Sequence, residues 1–429
     1  MERTLATWLA LIERRHPKSV DMGLERVRAV ATRMALPKPA CHVVAVGGTN
    51  GKGSTVAFIE AIASAAGWRV GAYTSPHLLA YNERVRIDGR DADDAALVAA
   101  FEAVEAARGD TTLTYFEYGT LAALWLFARS DLDLAILEVG LGGRLDATNI
   151  IDPDVAVITT VALDHQDWLG EDREAIGFEK AGIARAWTPL VLGEDDPPAS
   201  VLRHAYAIGA SAIRAGCDFF FEPLPPGDRG DEDAYWRWRE VGCELILPRP
   251  ALAAPVQLRN AATAIAALRA LDAEVPGEAF ARGVAGARLP GRLQRSERDG
   301  VQVLVDVGHN PQAARALAAW LAATPTAGRT HAVFAALGDK DAGGVASALE
   351  QRVDAWHLAG LDVGERGQSV DALAARLAGT SAADGRRHAG VATALAAALE
   401  DATPGDRVIV FGSFHTAAEA MTVLGLTPS

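Results

Sequence analysis

Cysteine is scarce in this sequence. Its 429 residues include three, Cys41, Cys217 and Cys243. That odd number, at wide spacings, supports neither a disulfide framework nor a CxxC zinc pattern. Positive charge is also short. Lys and Arg number 41 against 55 Asp and Glu, a net charge of −14, which argues against a chain whose main task is to hold nucleic acid or an anionic membrane. Long hydrophobic runs are missing too, since no charge-free apolar stretch approaches the ~18–20 residues needed to span a bilayer. No repeat of solenoid period is present. Half the residues are hydrophobic and 22% are charged, a globular composition rather than a disordered one. Near the N-terminus, Met1-Glu2-Arg3 precedes Leu5, Trp8, Leu9 and Ile12 at helical spacing, which reads as an amphipathic helix rather than a signal peptide. These absences predict a soluble protein of a reducing compartment, most simply the cytoplasm. At roughly 100–200 residues per domain the length predicts two or three domains.

What is present is an alternation of short β-rich runs and helical patterns. His42–Val46, Val70–Tyr73, Leu134–Val139, Val155–Thr160 and Leu190–Gly193 are compact runs of strands buried on both faces. Ser54–Ala66 is a helix between two of them, closed by Gly67. The alternation predicts an α/β fold with a mainly parallel sheet. Residues 216–248 break it with a Pro/Gly/acid loop (Glu222 to Asp233) and strand-like pieces such as Tyr235–Glu240, a small antiparallel insert. A second α/β series follows Gly291-Arg292. Its strands are Val301–Val305, Thr330–Ala335, Ala355–Ala359 and Arg407–Phe411; its helices are Gln312–Ala322, Val345–Gln351, Val370–Leu377 and Val391–Glu400. Arg288-Leu289-Pro290-Gly291 interrupts the helical pattern, so the domains are expected at 1–290 and 291–429.

The first strand runs into Gly47-Gly48-Thr49-Asn50-Gly51-Lys52-Gly53-Ser54, and a helix follows at once. A strand, a Gly-rich loop and a helix N-terminus form the layout that cradles a polyphosphate, with Lys52 as a point charge. The match to GxxxxGK[ST] is imperfect, because Val46 stands where the first glycine belongs and Gly53 separates Lys52 from Ser54. The alternative is a Gly-rich turn with a solvated lysine. Polar groups also stand at other probable strand ends, where open α/β sheets bind ligands. They are Ser75 and His77, Glu138, and Asp164 with His165. Singly, each reads as a cap or a structural hydrogen-bonder; jointly, a glutamate, a hydroxyl and an imidazole suit a divalent cation bridging phosphate oxygens. Lys180, in Glu179-Lys180-Ala181-Gly182-Ile183, reads from spacing alone as a snorkelling surface lysine.

Taken together, these motifs resemble the bacterial dihydrofolate synthase/folylpolyglutamate synthase family, within the Mur ligase superfamily of ATP-dependent amide-forming enzymes. The resemblance runs nearly end to end. It is carried by GTNGKGS (48–54), TSPHL (74–78), Glu83-Arg84-Val85, Thr114-Tyr115-Phe116-Glu117, EVGLGGRLDATN (138–149), Asp164-His165 and Glu179–Ile183. Asp306–Pro311, Asp339-Lys340-Asp341 and GSFHT (412–416) continue it. One departure is visible: the family reads a small residue and one glycine before the threonine, whereas this chain has Val46-Gly47-Gly48.

The resemblance implies an N-terminal P-loop Mur-ligase-like ATPase domain with a small antiparallel insert, a C-terminal Rossmann-like domain, and ATP between them. It makes Ser75, Glu138 and His165 magnesium ligands. Lys180 becomes a carbamylated lysine that helps hold a second Mg2+. Thr49, Asn50, Gly51, Lys52, Gly53, Ser54, Asn260, Arg292 and Asp306 correspond to ATP-contacting positions, and His309 contributes from the same loop as Asp306. A pterin site is implied at Asp21, Met22, Gly23 and Leu24, at Thr114, Tyr115, Phe116 and Glu117, and at Leu145, Asp146 and Ala147, with Phe116 a stacking surface. The implied activity is ATP-dependent joining of L-glutamate to dihydropteroate, and then to folates, by a cytoplasmic monomer with no nucleic-acid or membrane partner. The rival readings are a peptidoglycan-precursor ligase, a P-loop kinase and a non-catalytic ATP-binding module.

Overall fold

The structure, a computed structural model, describes residues 3–16, 18, 20–224 and 235–426. The part of the expected Glu222–Asp233 loop from residue 225 onward lies outside the described residues. The chain divides into two compact units: Met1–Ala251 with Leu258–Ala287, and Leu252–Gln257 with Arg288–Ser429.

The first unit is built, among the described residues, on eight strands. These are β1 (His42–Gly47), β2 (Val70–Tyr73), β3 (Val85–Ile87), β4 (Arg90–Asp91), β5 (Leu134–Glu138), β6 (Val155–Ile158), β7 (Pro189–Leu192) and β8 (Ser211–Arg214), in the order β4-β3-β2-β5-β1-β6-β7-β8. From β2 to β8 every pairing is parallel, and β3 and β4 are added antiparallel at one edge. The central strands are uniformly apolar because both faces are covered: β2, β5 and β6 are buried throughout, and β1 from its second residue on. The chain leaves β1 for β2 on one side and later returns past β1 to β6 on the other. The carboxyl ends of β5, β1 and β6 therefore frame a switch point, the place where such sheets bind ligands.

Local signals set the flanking helices. Thr4 caps Leu5–Arg15 by accepting from Thr7 N–H, and Leu5, Trp8 and Ile12 turn inward. The helix after the phosphate loop starts at Lys52, two residues before the position expected from periodicity. Gly51, at φ +88°, supplies the left-handed turn that starts it early. Gly47, the departure noted in the sequence, is an ordinary strand residue paired with Ile158. The insert is a three-stranded antiparallel sheet of β9 (Phe219–Pro223), β10 (Tyr235–Glu240) and β11 (Cys243–Pro248), in the order β11-β10-β9. Trp236 and Trp238 are buried on it, and the Trp238 indole N–H donates to the Ala262 carbonyl at 3.1 Å.

The second unit carries, among the described residues, β12 (Gln294–Arg298), β13 (Val301–Val305), β14 (Thr330–Phe334), β15 (Ala355–Ala359), β16 (Arg386–His388) and β17 (Arg407–Phe411), in the order β12-β13-β17-β14-β15-β16. All pairings are parallel except β12 with β13. Its core is separate, centred on Leu317, Trp320, Phe334, Leu358 and Phe411. Among the described residues no helix is long and apolar enough to cross a membrane.

Candidate active site

The loop after β1 is shaped by partners far along the chain. Thr49 N–H donates to the Thr160 carbonyl at 2.7 Å, and Asn50 N–H donates to Thr160 Oγ1 at 3.1 Å. The Thr159 hydroxyl donates to the Asn50 carbonyl at 2.6 Å. Thr49 Oγ1 donates to the Ala162 carbonyl and accepts from Ala162 N–H, at 3.2 and 3.0 Å. The segment leaving β6 thus holds the loop open at the N-terminus of the helix Lys52–Ala65. Lys52 Nζ folds back onto the carbonyls of Gly48 and Thr49, at 3.1 and 3.3 Å. Gly53 and the buried Ser54 open the helix. Asn260 is buried beside the loop; a Cβ on Gly51 would lie 2.6 Å from its Oδ1.

Neighbouring strands deliver the cation-binding candidates to the same end of the sheet. Tyr73, the last residue of β2, is in register with Leu137 of β5, so Ser75 and Glu138 meet just beyond. Ser75 N–H donates to Glu138 Oε2 at 3.3 Å. Glu138 is buried, as is Lys180. His165 lies past β6 in a left-handed conformation, φ 53°, with its N–H on Asp164 Oδ1 at 2.9 Å. Among the described residues no three His, Cys, Asp or Glu side chains converge as a ready-made metal centre. The donor set of one carboxylate, one hydroxyl and one imidazole fits an ion that takes its remaining oxygens from phosphate and water.

Lys180 is not a snorkelling surface lysine. It lies on the buried side of the helix Arg173–Ala181. Burial first, and then the charge of Lys52, pull its pKa down to about 7, while Asp164 and Asp146 pull it back up.

The three segments of the expected pterin pocket come together. The Arg26 guanidinium donates to the Asp21 carbonyl at 2.7 Å and to Glu117 Oε1 at 3.0 Å, and pairs with the Asp21 carboxylate at 2.7 Å. Thr114 and Glu117 form a capping box at the start of the helix Tyr115–Phe127. Phe116 packs so closely on Gly140 that a Cβ there would lie 2.7 Å from the ring. A Cβ on Gly142 would lie 3.7 Å from the end of Met22. Leu24 and Ala147 are buried in one core, with Tyr115 and Phe116 packed against it. Gly23 and Leu145 lie within the same segments. Asp146 lies at the centre of its loop's hydrogen bonds. Its carboxylate accepts Gly140 and Leu141 N–H on one oxygen, and Thr148 N–H and Oγ1–H on the other, so it organises its own loop. Burial raises its pKa despite these bonds.

The second unit has a cluster of its own. Asp306 follows β13 and accepts Leu293 N–H at 2.9 Å and Gly308 N–H at 2.7 Å. The Arg292 guanidinium stands 5.4 Å from the Phe414 ring centre, and the His309 ring 6.3 Å from it. His309 Nδ1 lies 3.0 Å from the Val307 carbonyl.

Sequence reasoning missed the supports. It gave no role to Thr159 and Thr160, and none beyond membership of a motif to Glu83 and Arg84. The available signals were a pair of threonines ending an apolar strand and a Glu-Arg pair within a recognised motif.

Comparison with known proteins places these features in a family. Residues 46–218 match the Mur ligase middle domain, and residues 291–414 match the Mur ligase glutamate ligase domain. The dihydrofolate synthase/folylpolyglutamate synthase of Escherichia coli (strain K12) is 47% identical over 420 residues, covering 98% of this chain and 95% of that protein. The structure of E. coli FolC in complex with DHPP and ADP superposes with a TM-score of 0.92 at 46% identity, covering 99% of this chain and 98% of that one. A bifunctional folylpolyglutamate synthase/dihydrofolate synthase with Mn, AMPPNP and L-glutamate bound gives a TM-score of 0.90 at 46% identity over the same shares. With such likeness along almost its whole length, this chain belongs to the dihydrofolate synthase/folylpolyglutamate synthase family of Mur ligases.

Proposed function

We propose that this chain joins L-glutamate to 7,8-dihydropteroate at the expense of ATP, and adds further glutamates to tetrahydrofolate. The carrying observation is the assembly, in one unit, of a phosphate-cradling loop, a buried carboxylate bonded to Ser75, and the converging Asp21–Leu24, Thr114–Glu117 and Gly140–Ala147 segments.

A carboxylate resists attack by an amine because its leaving group would be oxide. Phosphoryl transfer from ATP converts it to an acyl phosphate. The glutamate amine then adds to the acyl carbon, the tetrahedral adduct collapses, and inorganic phosphate leaves with the C–O electron pair. The protein's part is to bring several anions together and offset their repulsion. Lys52 and the backbone N–H groups opening the helix Lys52–Ala65 hold the phosphates, with Thr49, Asn50, Gly51, Gly53, Ser54 and Asn260 around them. The nucleotide-contacting roles that the family resemblance implies also fall to Arg292, Asp306 and His309. Phe116 stacks on the pterin. A divalent cation held by Ser75, Glu138 and His165 would neutralise phosphate oxygens. Lys180, part-neutral near pH 7, would react as an amine with CO2, forming a carbamate and releasing a proton, and the carbamate would offer an anionic ligand to a second cation. The protein works as a cytoplasmic monomer on small-molecule substrates, without nucleic-acid or membrane partners.

The test is steady-state phosphate release with dihydropteroate or tetrahydrofolate, each with and without L-glutamate. Release is expected only when a pterin acid and glutamate are both present. Equal release with neither, or transfer to a hydroxyl, would overturn the reading.

A further inference from the structure

The loop Thr74–Ala80 carries Ser75, yet burial does little to fix it. Pro76, Leu79 and Ala80 are exposed, and Ser75, His77 and Leu78 are half-buried. What fixes it is the two-residue segment Glu83-Arg84. The Glu83 carboxylate accepts three consecutive backbone N–H groups, from Leu78 at 2.6 Å and from Leu79 and Ala80 at 2.8 Å each. The Glu83 carbonyl accepts from Thr74 Oγ1 and from Arg86 Nη1, both at 3.2 Å. Thr74 N–H donates to the Arg84 carbonyl at 2.9 Å. Arg84 Nε donates to His77 Nδ1 at 2.8 Å, and its guanidinium lies 5.3 and 5.5 Å from the ring centres of Tyr81 and Tyr115. Bonds from Glu83 and Arg84 therefore grip the chain on both sides of Ser75, directly before it at Thr74 and after it from His77 to Ala80.

We propose that Glu83 is a positioning residue for cation binding: its carboxylate gathers the loop N–H groups and thereby sets Ser75 against Glu138. Arg84 assists through His77. This rests on the reading of Ser75 and Glu138 as cation ligands. Three charge-assisted bonds converge on one carboxylate, and outer-shell groups of this kind orient the ligands that touch a metal. Glu83→Gln keeps the volume but presents an amide N–H₂ to donors, so at least one loop N–H loses its acceptor.

The experiment is titration of the full-length protein with Mn2+ in the presence of AMPPNP, with free Mn2+ read by electron paramagnetic resonance. Glu83→Gln is expected to weaken Mn2+ binding about tenfold, with the KM for dihydropteroate changed by less than about twofold. Arg84→Lys, which keeps the charge but removes the Nε donor, is expected to weaken Mn2+ in the same direction. Ser75→Ala separates the two levels of the claim. If Ser75→Ala weakens Mn2+ binding while Glu83→Gln and Arg84→Lys do not, the positioning role is wrong. If Ser75→Ala leaves Mn2+ binding unchanged, the ligand assignment beneath it is wrong. Should Glu83→Gln fail to fold, unchanged Mn2+ affinity in Arg84→Lys overturns the proposal alone.

Discussion

Lys180 and Lys52 act on each other through charge. Burial lowers the Lys180 pKa, and the Lys52 ammonium lowers it further, to about 7. At neutral pH roughly half of such an amine is uncharged, against less than about one part in a thousand at its ordinary value. Only the uncharged amine attacks CO2. Removing Lys52 raises the Lys180 pKa and also takes away a cation that favours the resulting carbamate. Both effects have the same sign. In 13C-bicarbonate NMR, the carbamate signal expected in the parent protein should shrink in Lys52→Met and vanish in Lys180→Met. ADP formation in Lys52→Met should fall by about two to three orders of magnitude. A carbamate signal that survives Lys180→Met would refute the assignment. The family resemblance pointed to the carbamate, but the burial and the coupling to Lys52 were not legible in the sequence, where Lys180 sits in an apolar stretch that a long side chain can leave for solvent. Its burial depends on the helix Arg173–Ala181 packing onto the Gly143-Arg144 turn, where Arg144 N–H donates to the Glu179 carbonyl at 2.8 Å.

At the scale of elements, the helix that starts from the phosphate loop is backed by the helix Gly277–Gly286. Gly283 faces it so closely that a Cβ would lie 2.4 Å from the Ile62 Cα. Gly283→Ala therefore has to push two helices apart. It is expected to cost about 1–3 kcal/mol in urea unfolding and to weaken nucleotide binding through the displaced helix; an unchanged midpoint would contradict the packing. Interior strands were readable because burial on both faces leaves continuous Val, Ile and Leu runs, as in β1, β5, β13 and β17. The edges were not. β4, β8, β12 and β16 end the two large sheets, and none was anticipated, nor was β3. Segments such as Gln294–Arg298 (QRSER) carry no apolar pattern, because their order comes from the neighbouring strand rather than from a core. Helix starts slipped by a few residues where a cap decided them, as when Asp341 accepts Gly344 N–H and begins a helix at Ala342. For the candidate site, the loop, Ser75, Glu138 and the pterin segments were recognisable as motifs. The roles of their supports were not, because Glu83 and Thr160 work through bonds to backbone that no residue pattern displays.

For the molecule as a whole, each unit has its own core, so stability can be lost in one by a mechanism that leaves the other alone. In the second unit, His357 is buried beneath the helix Val391–Asp401. Its Nδ1 lies 3.3 Å from His388 Nε2, its Nε2 lies 3.7 Å from Asp401, and the His331 ring centre is 6.0 Å away. Burial pushes its pKa down to about 4; Asp401 opposes this, and His388, His331 and Arg386 add to it. An imidazole in the unfolded chain titrates near 6.5. The folded unit thus binds fewer protons than the unfolded one between those values, so this contribution is complete above pH 6.5 and is lost as pH falls towards 4. Moving from pH 7 to pH 5 should cost the second unit about 2 kcal/mol, read by hydrogen exchange of residues 355–359 in urea. His357→Gln should flatten that dependence; a slope that persists in the variant would place its origin elsewhere.

The anchoring of the phosphate loop carries a consequence for the order of events during synthesis. Its hydrogen bonds reach residues 109 to 113 positions downstream. A chain growing from the ribosome exposes Thr49 and Asn50 long before Thr159, Thr160 and Ala162 exist to receive them. Until β6 has been translated and has docked beside β1, the glycines have no frame and the helix N-terminus has no fixed partner. Fragments ending before β6 lack these partners, so their nucleotide binding is expected to be weaker than that of the full chain.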